Sequence, residues 1–144
     1  MNDLLLEVLS HYGLSEVQGP QSNPEILEFF HDLDYDWVND DSATSWCSAM
    51  LSYYAKKCGY EYHKGLDARG WLKMPIMVLK PTLGDIVVLW RNNPHSWEGH
   101  VGLFVSWTDV KVCLLGGNQN NSINITAYPR ERIIGIRRLK KITG

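Results

Sequence analysis

The chain has 144 residues, 44% of them hydrophobic, and its 14 basic and 16 acidic side chains give a net charge of −2. That length supports a single domain with a real core, expected over residues 1–144, and the charge balance lacks the basic face that nucleic-acid phosphates require. Three cysteines with no C-x-x-C pair make neither a disulfide framework nor a zinc motif, and the longest apolar runs fall far short of the roughly 20 residues that cross a bilayer.

Helical signals fill the first half. "MNDLLLEVLSHYG" reads as an amphipathic helix; its early acidic residue and lack of a basic n-region do not match a secretory signal. In "GPQSNPEILEFFHDL", Asn23 is a cap and Pro24 the first helical residue, and Ile26, Leu27, Phe30 and Leu33 have the spacing of an apolar face. The polar, turn-rich "DYDWVNDDSATS" leads into a third helix, "TSWCSAMLSYYAKKCGY", with Ser42, Thr44 and Ser45 as N-cap choices and Gly59 as the residue after its end. "LDARGWL" adds one more helical turn.

From Leu83 the pattern changes to short β-rich runs between turn residues: "DIVVLW", "HVGLFVSW", "KVCLLG", "SINITAY" and "RIIGIRRL". Strands gathered after helices predict an α+β domain, with the N-terminal helices packed on a sheet of roughly five antiparallel strands. Asp85 shapes the turn into the first of these strands. The basic "RRLKK" is a solvated strand end.

In the third helix, Cys47, Met50, Leu51, Tyr54 and Cys58 share an apolar stripe, with Ser48, Ser52, Lys56 and Lys57 on or near the opposite side. Cys58 fits the role of a small buried hydrophobe. Cys47 differs in position. A thiol in the first helical turn sits among unpaired backbone N–H groups and at the positive end of the dipole, where the thiolate is favoured, although Asp40 and Asp41 would oppose it at close range. Such a nucleophile needs a base, and His100 opens a strand after the Gly- and Pro-bearing loop "NNPHSWEG". By alternation His100 shares a face with Gly102 and Phe104, and Val101, Leu103 and Val105 face the other way. The third group, which orients the imidazole, is sought in "LLGGNQNN": Asn118 is the choice, with Gln119 and Asn120 as alternatives. A reading of His95, Glu98 and His100 as metal ligands matches no zinc motif, so no metal or other cofactor is expected.

"SWCSAMLSYYAKKCGY", "LGDIVVLW", "GHVGLFV" and "LLGGNQNNSINITAYP", in that order, resemble the CHAP and NlpC-like superfamily of cysteine amidohydrolases and peptidases, closest to its compact phage and bacterial branch. The resemblance takes in "NPEILEFF", "ARGWL" and "IIGIRRL" as well, and so runs over nearly the whole chain. It implies a papain-like α+β core and hydrolysis of an amide bond in the peptide part of the bacterial cell wall, by an amidase or an endopeptidase. Cys47 takes the place of the nucleophile, His100 of the base and Asn118 of the orienting residue. Many relatives carry a histidine, or an acidic residue close by, where this chain has "GGNQ".

The expected partner is the peptidoglycan stem peptide. Trp46, Trp71, Trp97 and Trp107 are the aromatic candidates for its groove, with Gln119 as a polar substrate-binding candidate; most of the tryptophans belong to the core, and Trp97 is the exposed one. The enzyme would act as a monomer, without nucleic acid or membrane. Delivery to the wall would need a holin, a phage tail or a secretion system, and a secreted toxin would be matched by an inhibitor, or immunity protein, that occludes Cys47. The alternative is a catalytically silent binding or structural module of a phage particle or secretion system.

Overall fold

The computed structural model describes residues 2–17, 22–39 and 45–142. The helical half forms α1 (Asp3–Leu9), α2 (Pro24–His31) and α3 (Cys47–Lys57). Asn2 caps α1 by accepting the Leu5 N–H at 3.0 Å, and Asn23 caps α2 by accepting the Glu25 N–H at 2.9 Å, with Pro24 in the first turn where no N–H is needed. At the end of α3, Gly59 adopts φ +81°; its N–H reaches the Lys56 carbonyl at 3.1 Å and the Tyr60 N–H reaches Ala55 at 2.9 Å. These are the two bonds of a Schellman motif, which a glycine makes without a Cβ clash.

The start of α3 departs from the expectation. Trp46 is the N-cap, and no side chain caps the helix. Ser45 instead turns its hydroxyl toward the Cys47 sulfur, at 3.8 Å. Ser42 and Thr44 lie outside the described residues, as do Asp40 and Asp41.

Six strands form one antiparallel sheet: β1 (Ile76–Met77), β2 (Ile86–Trp90), β3 (Gly99–Trp107), β4 (Lys111–Gln119), β5 (Ser122–Pro129) and β6 (Ile133–Arg138). Their order is β1-β6-β2-β3-β4-β5, so β2 to β5 form a meander and the last strand returns to lie beside β2. The expected count of five is corrected by β1, whose two residues pair with Arg138 and Arg137 of β6. A strand this short has no readable period. "LDARGWL" does turn, as a 3₁₀ segment over Ala68–Lys73.

The sheet has two apolar faces. Ile86, Val88, Val101, Leu103, Leu115 and Ile123 join the helices in the larger core, and Val87, Leu89, Phe104, Val112, Leu114 and Ile136 form a smaller cluster on the other side. This division follows the period-two alternation of strands. Asp85, 1% exposed, acts in the turn as expected: one oxygen accepts the Thr82 N–H at 2.8 Å, and the carboxylate receives the Arg138 guanidinium through two bonds of 2.9 and 2.8 Å. It thereby fixes the start of β2 to the end of β6.

Two details of α3 are corrected. Ser48 and Ser52 lie on the side away from the apolar stripe, yet both are fully buried beneath residues 63–71. Ser48 accepts the Trp71 indole N–H at 2.8 Å and donates to the Gly65 carbonyl at 3.0 Å, and Ser52 donates to the His63 carbonyl. Their hydroxyls satisfy backbone and indole groups that a hydrocarbon wall would strand. Cys58 is only half-buried, against the expectation of a core position.

On β4, a Cβ built on Gly117 would stand 2.6 Å from the Trp46 ring and 3.3 Å from Met50. Gly117→Ala is expected to destabilise the protein by about 1–3 kcal/mol, the typical cost of overpacking, as a lowered midpoint in urea unfolding.

Candidate active site

β4 and β5 are joined by a two-residue turn at Asn120 and Asn121, both at positive φ, with Gln119 paired to Ser122. That is the backbone of a tight primed hairpin, which asparagine tolerates. Asn118 is also left-handed, at φ +57°, and the strand register shifts between Gly116 and Gln119. Simple alternation would carry the face of Leu114 and Gly116 on to Asn118. The left-handed residue breaks that alternation and brings Gln119 to it instead.

The orienting contact is corrected accordingly. Gln119, 3% exposed, places its Oε1 2.9 Å from His100 Nε2. Its Nε2 donates to the Asn124 carbonyl at 2.8 Å, the Asn124 side-chain oxygen at 3.0 Å and the Leu114 carbonyl at 3.2 Å. With three acceptors facing the amide nitrogen, the amide can turn only its oxygen to the histidine, so His100 carries its proton on Nε2. Gly116 makes the room, since a Cβ there would lie 2.7 Å from Gln119 Oε1. Gln119 is thus buried against His100 and is not among the residues that line the cleft over Cys47.

Asn118 reaches the site from the other side. Its side-chain N–H donates to the Ser45 hydroxyl at 3.2 Å, and that hydroxyl neighbours the Cys47 sulfur. Asn120 is exposed in the turn.

His100 is 2% exposed, and its Nδ1 is buried with no hydrogen-bond partner in the resting geometry. Cys47 is its neighbour. Burial alone would push this thiol up; hydrogen bonding with His100, the charge of the imidazolium, the Val101 N–H and the Ser45 hydroxyl together pull it down to about 7. Because Nε2 faces Gln119, Nδ1 is the ring nitrogen left for the thiol. A thiol held near 7 carries a substantial thiolate fraction at neutral pH.

A cleft of about 90 Å³ opens over the sulfur, lined by Ser45, Leu66, Asp67, Arg91, Trp97 and Glu98 among others. Trp97, 79% exposed, stands at this cleft as expected. Trp46 and Trp71 do not: both are fully buried, with their indole N–H groups bonded to Glu16 and Ser48. Trp107 packs under Arg130, whose guanidinium carbon lies 3.4 Å from the ring centroid.

Both walls of the cleft are held from behind. His63 Nε2 lies 2.9 Å from Asp67 Oδ1, and its ring fills the space that a side chain on Gly65 or Gly70 would need. Arg69 donates to the carbonyls of Glu98, Pro94 and Asn93 at 2.7, 3.0 and 3.2 Å, and so fastens the loop that carries Trp97. Sequence reasoning missed this clamp, because an arginine in a helical turn gives no sign of which loop it will hold. Among the described residues no three His, Cys, Asp or Glu side chains gather as metal ligands would, and His95, Glu98 and His100 form no such group.

No protein-family model matches the chain, and no curated protein matches it significantly.

Alkylation by iodoacetamide, followed for each cysteine by peptide mass spectrometry, should rise with a midpoint near pH 7 for Cys47. Cys58, whose thiol burial raises, should respond only at distinctly higher pH. Equal midpoints for the two would contradict the coupling of Cys47 to His100. Arg69→Ala should leave the Cys47 midpoint in place but loosen the 93–98 loop, seen as faster hydrogen exchange confined to that loop.

Proposed function

We propose that the protein is a cysteine-dependent amidohydrolase of papain-like architecture that cleaves an amide bond in the peptide part of peptidoglycan. The carrying observation is the pairing of a depressed thiol with a buried histidine, whose Nε2 is taken by Gln119 and whose Nδ1 is left for the thiol. The order of Cys helix, "GD" strand, "GHVG" strand and "GGNQ" strand supports assignment to the CHAP and NlpC-like superfamily and, through it, the cell-wall substrate.

His100 Nδ1 accepts the thiol proton, and Cys47 Sγ forms a bond to the substrate carbonyl carbon as the carbonyl π electrons move to oxygen. Backbone N–H groups at the uncapped start of α3, including that of Cys47, face the resulting oxyanion. Collapse breaks the C–N bond as His100 returns its proton to the leaving amine. Water, deprotonated by the same Nδ1, then attacks the thioester, releasing the carboxylic acid and regenerating the thiol. Gln119 keeps the imidazole from rotating through both steps. No metal enters the scheme.

Among the described residues no helix is long and apolar enough to cross a membrane. Action on the wall follows delivery by a holin, a phage tail or a secretion system, and an immunity protein for a secreted form would occlude the cleft over Cys47.

Purified peptidoglycan digested with wild type should release fragments identifiable by mass spectrometry. Cys47→Ala and His100→Ala should lower the rate on the order of 10⁴-fold or more with folding intact. Gln119→Ala should cost about 10- to 100-fold, and Asn118→Ala less than about tenfold. Stem peptide freed from muramic acid means an amidase; a cut within the stem or cross-bridge means an endopeptidase. Undiminished cleavage by Cys47→Ala would overturn the mechanism, and no fragments from wild type would favour the silent binding module.

A further inference from the structure

The Cys47–His100–Gln119 arrangement leaves one nearby polar group without a role. Tyr128, near the end of β5, holds its hydroxyl 3.2 Å from His100 Nε2, with the two ring centroids 5.2 Å apart at an interplanar angle of 41°. Nε2 therefore faces two oxygens, Gln119 Oε1 and Tyr128 Oη. Because the amide of Gln119 is locked with its oxygen forward, the single Nε2 proton lies between two acceptors.

We propose that Tyr128 is a positioning residue of this site, its hydroxyl serving as a second acceptor for the His100 Nε2–H and so favouring the imidazolium that accompanies the Cys47 thiolate. The inference rests on reading Cys47 and His100 as the reacting pair. In the imidazolium both ring nitrogens carry protons, and the positive charge on the Nε2–H is met by two oxygen dipoles where water has little access. In neutral imidazole that gain is smaller. The hydroxyl thus biases the proton equilibrium toward the ion pair while touching neither substrate nor sulfur.

The surroundings keep the hydroxyl in its neutral form. Burial and the negative charge of Cys47 push the Tyr128 phenol up to about 12, against the opposing pull of Arg132 and Arg91. Arg132 approaches from the 3₁₀ turn after β5, with its guanidinium carbon 5.4 Å from the Tyr128 ring centroid and its Nε bonded to the Trp90 carbonyl. Asp67, before the first 3₁₀ turn, and Glu98, before β3, line the cleft over Cys47 together with Arg91. β4 presents to His100 the uncharged amide of Gln119, and α3 presents Cys47 itself. These charges are unchanged when the phenol hydroxyl alone is removed.

The test is the pH profile of Cys47 alkylation by iodoacetamide in full-length wild type, Tyr128→Phe and Tyr128→Leu, with thermal unfolding of each. The phenylalanine variant keeps the ring and removes only the hydroxyl. Loss of the second acceptor makes the imidazolium less stable, so the thiolate forms less readily and the Cys47 midpoint moves to higher pH. An upward shift of about half to one pH unit is expected for Tyr128→Phe, with Tm nearly unchanged. Tyr35→Phe, which removes a surface hydroxyl bonded to the Lys64 carbonyl, should leave the midpoint where it was.

A Tyr128→Phe profile that superimposes on wild type would overturn the proposal. So would a shift confined to the leucine variant, once that variant is shown to fold, because the ring and not the hydroxyl would then be responsible. The readout is the state of the thiol and not turnover of cell wall. A protein that cuts no peptidoglycan yet shows the shift disproves the substrate and retains this inference.

Discussion

The site depends on how closely the start of α3 can approach β4, and two consecutive glycines set that distance. Gly117 faces the helices, and the Trp46 ring occupies the space its side chain would need. Gly116 faces the other way, and the Gln119 amide fills the corresponding space there. One glycine lets the helix bearing the thiol come down on the sheet; its neighbour lets the group that orients the imidazole fold back under it. Any Cβ in this pair would push apart elements whose functional atoms must meet to within a few tenths of an ångström.

The electrostatics follow from that packing. Cys47, His100 and Gln119 are all nearly inaccessible, so their mutual interactions are weakly screened. Burial works against a charged thiolate, and the imidazole, the Val101 N–H and the Ser45 hydroxyl more than offset it. Asn118 reinforces this arrangement from outside by donating to Ser45, and Gln119 does so from beneath through His100. The adjacent residues of "NQ" thus serve opposite members of the pair.

Much of this was legible in the sequence. Helix caps at Asn23 and Gly59 act locally, so residue identity announces them. The five longer strands showed through β-rich runs between turns, and the alternation of β3 placed Val101 and Leu103 on one face and His100 on the other. Cys47 and His100 were visible because a thiol at a helix start and a histidine at a strand start are positional signals. Other features were not legible. β1 is too short to have a pattern. The exchange of Asn118 for Gln119 depends on a single left-handed residue, and asparagine at that point is equally consistent with an ordinary strand end. Ser48 and Ser52 look solvent-facing on a helical wheel, since a wheel knows nothing of the segment that covers them. Most of the tryptophans were expected in the core, but which of Trp46, Trp71 and Trp107 belong there and which line the groove only their packing decides.

The most direct test of the central claim, that Gln119 fixes the histidine so that its Nδ1 serves the thiol, is ¹⁵N NMR of the His100 ring in histidine-labelled protein. Cys47→Ala, at a pH where the ring is neutral, removes the thiol and isolates the tautomer. The account predicts a protonated Nε2 and a bare Nδ1, with the Nε2–H tautomer losing its dominance in Gln119→Leu. A ring protonated on Nδ1 in the presence of Gln119 would contradict it.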